Sequence, residues 1–85
     1  MALELIRSRV SRQQDGDWEF GFTRTGHKRD ELDGSFELSA EVVERIWQQA
    51  IGPMPHIELQ VHDVIKEWDR LQQRLLAEIE RRTQS

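Results

Sequence analysis

The chain has 85 residues, of which 36% are hydrophobic and 33% charged, with 12 basic and 16 acidic side chains and no cysteine. That length predicts one small domain covering residues 1–85. The lack of cysteine excludes disulfides, thiolate zinc sites and cysteine nucleophiles, and no apolar run approaches the roughly 18–20 residues that span a bilayer.

The N-terminus, Met1-Ala2-Leu3-Glu4-Leu5-Ile6-Arg7, has no basic segment followed by an apolar one, so no secretory leader is expected. A cytoplasmic location is the matching expectation. Residues 3–10 alternate imperfectly, which suggests a strand with Ile6, Ser8 and Val10 on one face and Arg7 and Arg9 on the other. Residues 11–17 read as a turn. Asp15-Gly16 is its signal, since glycine tolerates positive φ and aspartate supports a side-chain turn. Residues 18–25 read as the second strand. Trp18, Phe20 and Phe22 recur at period two and fall on one face. Gly26 to Gly34 reads as a charged loop. Phe36 and Leu38, flanking Glu37, suggest a third short strand over 35–38.

Ser39 is placed to cap a helix over residues 40–50, with Glu41 near the positive end of its dipole. Leu38 and Val43 have the spacing of a hydrophobic staple. Val42, Val43, Ile46, Trp47, Ala50 and Ile51 make one apolar face, and Gly52-Pro53 ends it. Residues 56–62 fit two periods. Ile57, Leu59 and Val61 alternate as in a strand. Ile57, Val61, Val64, Ile65, Trp68, Leu71, Leu75 and Ile79 also follow helical spacing, and Pro55 suits a first turn. The favoured reading is one long helix over 55–82, roughly 40 Å long.

Such a helix overhangs its core. Its apolar residues continue to its end, and Val61, Val64, Trp68, Leu71 and Leu75 fit heptad a and d positions. The 36–51 segment is too short to cover them all. Either the hairpin folds over them or a partner helix does, from a second copy or from another protein.

Charge is unevenly distributed along the chain. Residues 30–52 carry Asp30, Glu31, Asp33, Glu37, Glu41 and Glu44 against Arg45 alone. This stretch reads either as a solvated loop and helix face or as an acidic docking patch, whose field would speed association with a basic surface. The basic excess over residues 1–29 is small, and neither helix is read as basic on one face.

Little points to catalysis. His56 and His62 are six apart, which is not the i, i+4 spacing of helical ligand pairs. His62 beside Asp63 is at most half a metal site. No Gly-x-Ser-x-Gly elbow, P-loop or Gly-x-Gly-x-x-Gly is present. No catalytic residue, metal ligand or cofactor is assigned.

The sequence therefore predicts an α+β fold: an N-terminal antiparallel β-hairpin or small sheet packed on two helices, the second one long. The expected function is a non-enzymatic protein-binding module, of inhibitor, immunity-type or adaptor character. Its expected contact residues are Asp30, Glu31, Asp33, Glu37, Trp68, Leu71, Leu75 and Ile79. The expected partner is another protein, or a second copy docking through the C-terminal helix, with nucleic acid disfavoured. The alternative is a DNA-binding regulator or antitoxin acting as a homodimer. For it, the order strand, helix, helix across 35–80 resembles a ribbon-helix-helix dimer, in which a strand pair lies in the major groove. The corresponding strand here, Ser35-Phe36-Glu37-Leu38, carries an acid and no base. The hairpin arginines Arg7, Arg9, Arg12 and Arg24 are the other contact available to that reading.

Overall fold

The structure is a computed structural model and describes residues 3–24 and 33–83. Most of the charged loop over 26–34, with Asp30 and Glu31, lies outside the described residues. In chain order the elements are β1 (Leu3–Arg12), β2 (Trp18–Arg24), β3 (Gly34–Leu38), α1 (Ala40–Ala50), α2 (Val61–Lys66) and α3 (Trp68–Thr83). This is the expected α+β arrangement. The strands form one antiparallel sheet in the order β1-β2-β3, so among the described residues β1 has no strand on its outer side.

The hairpin turn forms where Asp15-Gly16 predicts it. Gly16 has φ +97°, and the Asp17 N–H donates to Asp15 Oδ1 at 3.0 Å. Period two then sets β2. Trp18 and Phe20 are fully buried and Phe22 half-buried, while Glu19 faces outward. On β3, Leu38 is buried opposite Trp18. The Phe22 ring lies over Gly34 so closely that a β-carbon there would sit 2.9 Å from it. Because β3 pairs with β2 of its own chain, the arrangement departs from a ribbon-helix-helix dimer.

β1 departs from simple alternation. Leu5 pairs with Phe22 and Val10 with Phe20, so Ile6, Arg7, Ser8 and Arg9 together face only Gly21. Leu5 and Val10 are five apart and would point to opposite faces of a regular strand. The slip in register brings both into the core, at 6% and 8% exposure. Ile6 and Ser8 do not share the face of Val10 as expected: Ile6 is half-buried and Ser8 exposed. Such bulges bend a strand and re-aim its side chains.

α1 has the expected bounds. Ser39 Oγ accepts the Val42 N–H at 3.4 Å, and the Trp47 carbonyl accepts the Ile51 and Gly52 N–H groups at its end. The long helix over 55–82 is corrected. Residues 51–60 are an irregular connection, neither helix nor strand. Ile57 is 97% exposed and Leu59 fully buried. The Arg12 guanidinium donates to the Leu59 carbonyl. That holds this backbone against the hairpin and away from a helical turn. The helix starts at Val61, where the Gln60 N–H donates to Asp63 Oδ2 at 2.9 Å. It breaks once, at Glu67, whose φ −101° and ψ 25° separate α2 from α3.

The overhang is corrected too. Trp68, Leu71, Leu75 and Ile79 are at most 6% exposed and belong to one cluster with Val43, Ile46 and Trp47 of α1 and Leu5 and Val10 of β1. α3 packs on both α1 and β1, and α2 packs on β1. The radius of gyration, 12.4 Å, matches the roughly 12 Å of a closely packed chain of this length. Each buried Leu or Ile contributes about 1.5–3 kcal/mol, and α1 with β1 collects that gain inside one chain. No helix among the described residues is long and apolar enough to cross a membrane.

Candidate functional site

Of the eight residues expected to contact a partner, Asp30 and Glu31 lie outside the described residues, and the other six are spread over the sheet and α3. Trp68, Leu71, Leu75 and Ile79 point into the core. α1 and β1 of the same chain cover them, and Trp68 also lines a groove beside β1. Asp33 is tied into the sheet: its carboxylate accepts from the Arg24 N–H at 2.7 Å and from Thr23 Oγ at 3.2 Å. Glu37 is exposed on the outer face of the sheet, directly opposite Glu19. Like charges facing each other across strands are mildly destabilising, and Glu19 is partly relieved by the Gln13 amide at 3.3 Å. Of the hairpin arginines, Arg12 is turned inward, with 16% of its side chain exposed. Arg7 and Arg9 are exposed.

What sequence reasoning missed is a groove of about 560 Å³ between β1 and the α2–α3 junction. Leu5, Ile6, Ile65 and Trp68 supply its apolar surface, and Arg7, Glu4 and Gln72 are among its polar groups. Its position follows from the register slip. The bulged residues Ile6 to Ser8 form one wall, and the helix break at Glu67 sets Ile65 and Trp68 as the other. Neither feature has a period to detect. A predominantly apolar concavity with a few convergent polar groups is the usual form of a binding site. The hydroxyls of Ser8 and Thr23 also line it, without a histidine beside them.

Of the three histidines, His27 lies outside the described residues. His56 Nε2 lies 3.4 Å from Asp63 Oδ1, so Asp63 pairs with His56 rather than His62. No group of three or more metal-ligating side chains occurs among the described residues.

The carboxyl of Glu78 is shifted from its ordinary value. The hydrogen bond from Arg81 holds its carboxyl below the usual carboxylate range; burial opposes this, and Arg82 adds to the lowering. A lowered folded-state pKa adds stability above the unfolded value, and that stability is lost as pH falls through the folded value. Glu78→Gln is therefore expected to lower the melting temperature at neutral pH. The difference from wild type should close below about pH 4. Thermal melts across pH check this; a constant difference would mean that Glu78 acts by packing alone.

No protein-family model matches this chain, and neither a curated protein nor a solved structure is significantly similar to it.

Proposed function

We propose that this protein is a non-enzymatic protein-binding module, of inhibitor, immunity-type or adaptor character, that takes an extended segment of its partner along β1. One observation carries the reading: an apolar groove opens beside a strand that, among the described residues, has no strand paired on its outer side. An added strand would gain main-chain hydrogen bonds from that edge, and side chains at alternate positions would enter the groove. Trp68 and Ile65 offer a rigid apolar floor, the kind of surface on which interface hot spots form. Arg7 and Arg9 stand exposed along β1 and favour a segment carrying an acidic residue.

Selection of random peptides displayed against the whole protein tests this. Enriched peptides should alternate apolar residues and should shift the amide signals of residues 6–9 and of Ile65, Trp68 and Gln72. Ile65→Asp should weaken them at least about tenfold, with the fold retained, since a buried apolar contact is lost. Peptides that bind Ile65→Asp as well as wild type, or no enrichment at all, would overturn the groove reading.

A further inference from the structure

α3 has a second side. Arg70, Arg74 and Arg81 are exposed and spaced i, i+4 and i+11. At about 100° per residue they fall within a sector of about 40°. Gln72, in the β1 groove, lies about 160° around the helix from Arg74. Arg45 of α1 joins the same face through Glu78, its Nη2 being 3.6 Å from Glu78 Oε1. Arg82 Nε donates to Glu78 Oε2 at 3.2 Å, and Arg81 donates to the same oxygen. Between the helices runs a groove of about 250 Å³ lined by Ile46, Gln49, Arg74, Ala77, Glu78 and Arg81.

Among the described residues, Glu78 pairs with Arg45, Arg81 and Arg82, and Glu67 lies 3.8 Å from Arg70; Arg82, about 120° around α3 from Arg70, flanks the face. Asp69 and Glu80 lie about 100° around α3 from their arginine neighbours. On α1, Glu44 falls on the side away from Ile46 and Gln49, whereas Glu41 lies one turn before Arg45 and about 40° from it around the axis. A chain with net charge −4 thus concentrates cations on one face. The nearly buried Glu78 fixes two of the guanidiniums in place, so less freedom is lost when they meet an anion.

We infer that this face binds the phosphate backbone of duplex DNA, with α3 laid across the major groove. Three features select that occupant. Arg70 and Arg81 are about 16 Å apart along the axis, enough to reach phosphates on both sides of a groove about 12 Å wide. Ala77, exposed between them, lets the helix backbone come close. The exposed side chains of the face are arginine, glutamine and alanine, without the aromatic or aliphatic anchors of protein hot spots. Such a polar, cationic surface is typical of protein–DNA contacts. A-form RNA has a deep, narrow major groove that does not admit a helix.

Fluorescence anisotropy of a short labelled DNA duplex, titrated with the whole chain, is the test. Binding should weaken with salt, with a log–log slope of about −3 to −4 for four phosphate contacts. Arg70→Ala/Arg74→Ala should reduce affinity at least about tenfold and cut the slope by about 2, with the melting temperature unchanged. Arg7→Ala/Arg9→Ala, on β1, should leave DNA binding unchanged and weaken only the peptides selected on the groove. The two sites then fail or survive separately. Absence of binding at low salt, or equal loss in both double variants, would overturn the assignment. Binding to polyglutamate without binding to the duplex would give the face to an acidic protein instead.

Discussion

Replacing Leu75 and Ile79 together by aspartate is expected to unfold the protein rather than free a monomer from an assembly. Both side chains are fully buried, in the cluster that joins α3 to α1 and β1. Removing a buried Leu or Ile side chain costs about 2–5 kcal/mol. Burying an unpaired carboxylate adds several more, or forces the site open to water. A domain of this size has about 5–15 kcal/mol in total, so the double variant should lose it. Circular dichroism and the dispersion of amide signals read the result. Leu75→Ala alone should stay folded, with stability lowered by about 2–5 kcal/mol in urea titration. Retained dispersion with a reduced mass in solution would instead mean that this helix end is an interface between chains.

Arg12→Ala should be the most damaging substitution of a charged side chain. Its guanidinium joins three parts of the chain. It donates to the Leu59 carbonyl, donates through Nε to the Gly16 carbonyl at 3.2 Å, and lies 5.4 Å from the centre of the Trp18 ring. Hydrogen bonds from a charged group contribute about 1.5–3 kcal/mol, and a largely desolvated cation–π contact up to about 2. The expected loss is about 2–4 kcal/mol, with increased exchange of amides over 51–60. Glu58, 3.9 Å away and exposed, contributes little. Arg12→Lys should recover only part, because an ammonium cannot present the same fork to two carbonyls. Arg7→Ala, at an exposed site, should change stability by less than about 0.5 kcal/mol. A near-neutral Arg12→Ala would show that burial of Leu59 alone holds the connection.

The arginine face was legible at helical spacing but hidden by the way charge was summed. Counted by segment, residues 53–85 carry six acidic and five basic side chains and look balanced. Sorted by angle around α3, the same arginines separate from Asp69 and Glu80. The β1 groove had no such signal. It depends on three extra residues in β1 relative to β2 and on a helix break at Glu67, and neither lies in a composition or a period.

The hairpin turn at Asp15-Gly16, the aromatic face of β2, the Ser39 cap and the bounds of α1 were readable from residues a few positions apart. Each rests on an interaction that closes within one turn or one strand. The start of the second helix, the inward turn of Arg12 and the burial of Leu71, Leu75 and Ile79 were not. Ile57, Leu59 and Val61 satisfied two periods equally, and the choice fell to Arg12, 47 positions away from Leu59 in the chain. The apolar stripe of α3 announced only that it needed cover. Whether α1 and β1 supplied it, or another chain did, depended on how elements far apart in sequence pack, and spacing along one helix carries no record of that.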